Sequence, residues 1–303
     1  MLIYIDKNHE NKRLDSYLSE IFAEISRSKI QEFIKGGAVL VNGEVKKPSY
    51  LLNEGDRVEF EPLEAVAQPD CPAQDIGLDI VCEDENMLVV NKPSGMLTHP
   101  DAVEYENTLV NALLFRYGRE GLSDINGEFR PGILHRLDRN TSGLLMLAKN
   151  NAAHEFLAEQ IKNRTAVKKY RAIVKGCFEE DEFEINLPIA RHPRQPHKMA
   201  VIENGKESIT RVKVLKRFKE TSYLELELVT GRTHQIRVHL SHLKHPVYND
   251  TLYGAGKGKV KTEEQVLQSF YLRFTKPFGD EIIELQIEPD EKLNKVLAYM
   301  ERL

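Results

Sequence analysis

The sequence predicts an α+β protein in which a large domain, built on a mixed and mostly antiparallel sheet, follows a small α/β module. Three observations carry that prediction. Apolar and polar residues alternate strictly around Leu224, Leu226 and Leu228, around Phe270, Leu272 and Phe274, and around Ile283, Leu285 and Ile287, the pattern of strands with one buried face. Helical spacings occur between such strands without regular strand–helix alternation, which disfavours a doubly wound sheet. From 61 to 75 the hydrophobic periodicity stops, and Pro62, Pro69, Pro72, alanines and acids take over, a linker composition. The division expected is a module over 1–62, a linker over 63–75 and a larger domain over 76–303.

In the module, Leu14, Tyr17, Leu18, Ile21 and Phe22 recur at helical spacing, and Ile30, Phe33 and Ile34 do so again after Ser26 and Ser28, the candidate caps. Gly36 and Gly37 stop the second helix, a strand is expected over 38–41, Asn42-Gly43 signals a hairpin, and a strand over 58–60 closes the unit. In the larger domain, strands are expected over 79–81 and 87–91. The next segment, 92–100, holds Pro93, Gly95 and Pro100 and reads as irregular loop. The unbroken apolar run 144–148 fits a fully buried strand. Ala153, Phe156, Leu157 and Ile161 mark a helix, and 170–175 alternates as a strand. Residues 230–240 should turn from a strand into a helix capped by Thr233, and Leu293, Val296, Leu297 and Met300 mark a terminal helix.

The 303 residues are 41% hydrophobic and 29% charged, which fits a globular chain with a sizeable core and excludes a disordered or fibrous one. No apolar run approaches the ~18 residues that would span a bilayer, and no signal-peptide core is evident; a cytoplasmic protein is expected. Cys71, Cys82 and Cys177 form no CxxC pair, so neither a disulfide framework nor a cysteine zinc site is suggested. The net charge of −5 argues against a nucleic-acid partner, but its distribution reverses the argument. Ten Lys/Arg against three acids lie in 130–176, and nine against two in 191–219, while eleven acids and one Arg fill 51–90. A basic face on an acidic body is the pattern expected of a nucleic-acid binder; ordinary charged surface strands would give the same counts.

The segment 132–143 places Asp138 between Arg136 and Arg139, just before the buried strand. Neighbouring cations favour an ionised carboxylate, hence a nucleophile or electrostatic partner over a general acid; a turn-capping Asp with a surface ion pair is the plainer alternative. Tyr170 sits among Lys168, Lys169 and Arg171, as an aromatic would where a base stacks beside phosphates, or as a strand tyrosine that simply packs. Arg232 and Arg237 lie five positions apart, about 500° of helical rotation, and so face different ways. His234, His239, His242 and His245 invite a metal reading, but no carboxylate or cysteine completes a ligand set, so no metal is expected. The loop with Gly254, Gly256 and Gly258 matches neither phosphate-binding glycine motif, so no nucleotide cofactor is expected.

The run His135-Arg136-Leu137-Asp138-Arg139-Asn140-Thr141-Ser142-Gly143-Leu144-Leu145 resembles the signature of the RluA-type pseudouridine synthases, which isomerise uridine to pseudouridine in RNA. Blocks at 91–100, 170–176, 231–240 and 245–254 follow in the family's order, and the likeness covers about 79–289. Residues 13–60 separately resemble the alpha-L RNA-binding motif often fused to such enzymes. The resemblance implies a pseudouridine synthase fold, structured RNA as partner, with large-subunit ribosomal RNA the one expected, no cofactor and a monomer. It further implies Asp138 as nucleophile, Tyr170 stacking on or assisting the target base, and Arg237 paired with Asp138. RNA contacts are expected from Arg13, Arg27 and Lys29 in the module and from Arg136, Arg139, Lys168, Lys169, Arg232, His234 and Gln235 beyond it. Attack at sugar C1′, attack at base C6 and elimination through a glycal all stay open. Where the family often has Gly before Asp in a Pro-x-x-Gly-Asp turn, this chain has Asn249-Asp250; Asn tolerates positive φ, so the turn is expected to survive.

Overall fold

The computed structural model describes residues 1–22, 25, 27–60, 71–101, 103–262 and 264–303, except the side chains of Ser28 and Lys29. The chain divides into two compact units, Met1–Asp70 and Cys71–Leu303.

In the first unit, β1 (Leu2–Tyr4), α1 (Leu14–Ile21), α2 (Arg27–Lys35), β2 (Val39–Val41) and β3 (Arg57–Phe60) follow in order. The strands form one antiparallel sheet, β1-β3-β2. Its inner face meets the apolar stripes of both helices, burying Leu14, Leu18, Ile30, Ile34, Val39, Val58 and Phe60. The caps differ from expectation: Ser28 lies inside the first turn of α2, and Ser26 falls outside the described residues. Asn42 and Gly43 take the positive φ angles, 55° and 81°, of a tight turn, but beyond it only Glu44 bridges back to Val41. The main partner of β2 is β3, because burial of Val39 and Val41 rewards that longer-range pairing.

The second unit contains β4 (Ile80–Glu83), β5 (Met87–Lys92), α3 (Leu109–Tyr117), β6 (Ser142–Ala148), α4 (Asn151–Lys162), β7 (Val167–Lys175), β8 (Glu182–Asn186), β9 (Ile189–Arg191), β10 (Met199–Val201), β11 (Ile209–Arg217), β12 (Thr221–Leu228), α5 (Gln235–His242), β13 (Leu267–Thr275), β14 (Ile282–Gln286) and α6 (Glu291–Met300). Nine strands make one mixed sheet in the order β4-β5-β6-β13-β7-β12-β11-β8, with β14 beside β13 and β9–β10 as a separate ribbon. Its pairs are antiparallel except β6–β13. All seven residues of β6 are buried, as the apolar run predicts for a strand covered on both faces. Of the expected linker, 63–70 lie outside the described residues, while 71–75 are tied to α3: Cys71 is buried, Asn111 Nδ2 donates to the Pro72 carbonyl at 2.7 Å, and the Gln74 N–H donates to the Asn111 carbonyl at 3.0 Å. Among the described residues no helix is long and apolar enough to cross a membrane.

One row across the sheet positions the site. Ser269 of β13 pairs with Gly143 of β6 on one side and with Tyr170 of β7 on the other. Gly143 has φ 113°, and a Cβ there would stand 2.0 Å from the Ser269 carbonyl oxygen. No side chain fits. Gly143→Ala combines a left-handed backbone with that clash, and a loss of about 3 kcal/mol or more is expected. Thermal unfolding should show a Tm lower by roughly 6 °C or more; a variant melting with wild type would contradict the close approach.

Candidate active site

The loop carrying Asp138 is braced before any ligand arrives. Lys92, at the end of β5, is 1% exposed, and its ammonium donates to the carbonyls of Pro93, Met96 and Arg139 at 2.8, 2.8 and 3.0 Å. Burial pushes its pKa down to about 7, the charge of Asp138 opposing. Ser94 Oγ donates to the Asn140 carbonyl at 3.0 Å, and Thr98 Oγ1 donates to the Leu137 carbonyl at 2.9 Å. The 92–100 loop therefore clamps residues 137–140, which sets Asp138 at the entrance to β6.

Arg237 reaches the same point from α5, ninety-nine residues on. Its Nη1 donates to Asp138 Oδ2 at 3.0 Å, while Nε and Nη2 donate to the two oxygens of Asp250 at 2.7 and 3.0 Å. Asp250 is fully buried, the Arg237 side chain is 7% exposed and that of Asp138 is 18% exposed. Burial pulls the guanidinium pKa down, but the bonds and charges of Asp250 and Asp138 outweigh it and raise the pKa. Asp138 thus takes its ion pair from a distant helix, not from the adjacent arginines. Arg136 does line the cavity, whereas Arg139 turns away to Glu104, at 2.5 Å.

The start of α5 corrects the expected cap. It is His234, at φ 56°, and its side chain makes no cap hydrogen bond. Tyr253 Oη accepts from the Met199 N–H at 2.9 Å and lies 2.8 Å from His234 Nδ1. The other ring nitrogen, Nε2, stands 3.8 Å from Asp138 Oδ1. Burial lowers the His234 pKa against the pull of Asp138 and raises that of Tyr253 to about 12. Gln235 is not available to RNA. It is 2% exposed, and its amide bonds to Thr230 Oγ1, the Arg232 N–H, the Ile209 carbonyl and Thr210 Oγ1.

Strand alternation sorts the basic cluster of β7. Lys168 and Tyr170 are buried and face the site. Lys169 and Arg171 point the other way, Lys169 to Glu225 at 2.9 Å and Arg171 over the Phe270 ring at 3.9 Å, so Lys169 is turned away from the cavity. Burial raises the Tyr170 pKa well above the usual phenol range, and the Asp138 charge adds to this; the ring stays neutral. Burial lowers the Lys168 pKa to about 8, and no described residue hydrogen-bonds or ion-pairs with it. Two of the other histidines fill structural places: His239 lies between Thr210 Oγ1 and the Leu187 carbonyl, and His245 Nδ1 donates to the Lys175 carbonyl.

Asp138 and Tyr170 open onto a cavity of about 540 Å³ and also border a smaller one of about 50 Å³ beside Arg237. Among the described residues lining the larger cavity, Arg130, Arg136, Lys162, Arg164, Lys168 and Arg232 face a single acid, Asp138. In the module, Arg13 and Arg27 are about half exposed, and both pair with the buried Asp15 at 3.0 and 3.1 Å. The Lys29 side chain lies outside the described residues.

Residues 86–242 match the model of the RNA pseudouridylate synthase family, and residues 12–58 that of the S4 domain. The chain belongs to the RNA pseudouridylate synthase family. It is 38% identical to an uncharacterized RNA pseudouridine synthase of Bacillus subtilis (strain 168), over 99% of this chain and 98% of that one. It is 42% identical to a ribosomal large subunit pseudouridine synthase D of Pseudomonas aeruginosa, over 80% of this chain and 74% of the relative. Among solved structures, human RNA pseudouridylate synthase domain containing 1 superposes with TM-score 0.58 at 28% identity, over 77% of this chain and 98% of the other. The chain is accordingly an RNA pseudouridine synthase, an isomerase with an S4 domain ahead of its catalytic unit.

Sequence reading missed Asp250, Lys92 and Tyr253 in this RNA pseudouridine synthase. The Asn249-Asp250 pair, noted only as a turn, was the signal for the first. The turn does survive, with Asn249 at φ 61°. Asp250→Ala strands a buried guanidinium with one carboxylate, and a loss of about 3–5 kcal/mol is expected, with Asp250→Asn costing less. Thermal unfolding should show a Tm roughly 10 °C lower for the alanine variant; a shift within about 1 °C of wild type would remove the bridging role.

Proposed function

We propose that this enzyme converts specific uridines of large-subunit ribosomal RNA to pseudouridine, with Asp138 as nucleophile, Tyr170 against the target base and Arg237 holding the Asp138 carboxylate. The observation that carries the reading is one carboxylate, fixed by a buried guanidinium, at the wall of a cavity where every lysine and arginine among the described lining residues faces that single acid. Ribosomal RNA enters because several relatives bear the name ribosomal large subunit pseudouridine synthase D.

The reaction breaks the C1′–N1 bond, forms C1′–C5, releases the C5 proton and leaves a proton on N1. It is redox-neutral, so a positioned carboxylate and a site that retains the detached uracil suffice. Extracting the base from structured RNA costs a few kcal/mol, one aromatic stack returns about 1–3, and the cationic cavity supplies phosphate contacts for the rest. Arg136, Lys168 and Arg232 line that cavity. In the module, taken as residues 1–62, Arg13 and Arg27 would grip RNA with the exposed part of a charge they share with Asp15. The protein would act in the cytoplasm as a monomer.

Asp138→Asn keeps shape but lacks the nucleophilic charge. Tritium release from [5-³H]uridine-labelled ribosomal RNA should fall by at least about a thousandfold, with RNA affinity little changed; activity within about tenfold of wild type would overturn the role.

Lys168 supplies a pH test. Its ammonium is charged below about pH 8 and neutral above it, and a phosphate binds the charged form. RNA affinity should therefore fall by about tenfold as pH rises from roughly 7 to 9.5, and Lys168→Arg should remove the fall. Filter binding across that range checks it, and equal profiles for both proteins would take Lys168 off the RNA.

A further inference from the structure

His99 stands on the wall of the same cavity, and the chemistry above gives it no task. It is 6% exposed, and its Nδ1 lies 2.8 Å from the Pro100 carbonyl oxygen. A carbonyl only accepts, so Nδ1 carries the proton and Nε2 is left as an acceptor. That Nε2 is buried and has no partner among the described residues. Burial lowers the ring pKa, opposed by the bond to Pro100, and the nearby Arg136 and Arg130 lower it further; the ring therefore keeps its acceptor at neutral pH.

The acceptor is also held in place. Thr98 Oγ1, one residue earlier, donates to the Leu137 carbonyl and accepts from the Leu137 N–H at 3.3 Å. The Leu97 and Thr98 carbonyls accept from the N–H groups of Leu109 and Val110, which open α3. The two residues before His99 are thus locked to the residue before Asp138 and to the start of α3.

A buried acceptor among cationic side chains cannot serve phosphates, because a phosphodiester has no proton to donate. On an RNA strand the neutral donors are ribose 2′-hydroxyls and base N–H groups. We propose that His99 Nε2 accepts a hydrogen bond from such a donor on a nucleotide beside the target uridine, which makes His99 a specificity-determining residue. The proposal rests on the RNA isomerase reading above. Nε2 is already desolvated and unpaired in the free protein, so a strand that brings the donor gains a hydrogen bond that one lacking it cannot make.

The probe is a synthetic ribosomal RNA stem-loop around a uridine that the full-length protein converts. It is made unmodified, with single 2′-deoxy substitutions at the flanking nucleotides, and with flanking bases that lack an amino group, inosine for guanosine or purine riboside for adenosine. On the unmodified RNA, His99→Phe should lower kcat/KM by about tenfold or more, and His99→Gln, whose Oε1 can accept, should recover part of it. One substitution in the RNA should cost wild type a similar factor and cost His99→Phe nothing further. A 2′-deoxy position identifies a hydroxyl as donor; an amino-lacking base identifies a base N–H. Unchanged kcat/KM in His99→Phe, or equal losses in variant and wild type, would overturn the proposal. So would a wild type indifferent to every RNA substitution, a result that needs no folded variant. Failure of wild type to release tritium from any RNA would instead show that the isomerase reading has failed, and the proposal falls with it.

Discussion

Everything at the site depends on one guanidinium lying between two carboxylates. Arg237 draws together the loop before β6, helix α5 and the turn that ends at Asp250, three segments with no sequence adjacency. A buried charge pair is weak support by itself, since desolvation offsets much of the attraction, but losing a partner from it is severe. The two acids divide the work by burial: Asp250 holds the arginine from a fully enclosed position, while Asp138 keeps part of its surface at the cavity. The row Gly143, Ser269, Tyr170 supplies the other coordinate, because backbone pairing across three strands sets the tyrosine's distance from the Asp138 loop.

What could be read in the sequence was local. The apolar run of β6, the alternation of β12, β13 and β14 and the stripes of α1, α4 and α6 repeat within a few residues, and each element stands where its pattern places it. Helix α3 escaped because LVNALLFRY is apolar on nearly every side, so no stripe distinguishes helix from strand. Strands β8 and β11 escaped because their outer faces carry Lys213 and Arg211 opposite Glu182 and Glu184, which reads as charged surface. The Asp138 motif was legible as a motif, but its pairing with Arg237 was implied by the family resemblance alone: proximity in sequence pointed to Arg136 and Arg139, and the fold brings Arg237 to it.

Charge counting met the same limit. A run of Lys168, Lys169 and Arg171 counts as three cations, yet strand alternation sends Lys168 to the cavity and the other two to the opposite face. A net charge of −5 coexists with a cavity wall that holds six cations and one acid among the described residues, because the fold and not the count decides which charges meet. In the small module, Asp15 with Arg13 and Arg27 amounts to a single positive charge where the sequence shows two.

Asn249 does more than tolerate a left-handed turn. Its amide donates to the Val260 carbonyl at 3.0 Å and to Thr262 Oγ1 at 2.5 Å, and its oxygen accepts from the Gly258 N–H at 2.5 Å. A glycine could adopt the same backbone angle but would supply none of these bonds. The segment from 258 to 262 is therefore ordered by the residue next to Asp250, and its conformational entropy is lost during folding. With glycine at that turn, the same disorder would be carried into each encounter with a ligand and lost there, at the expense of affinity.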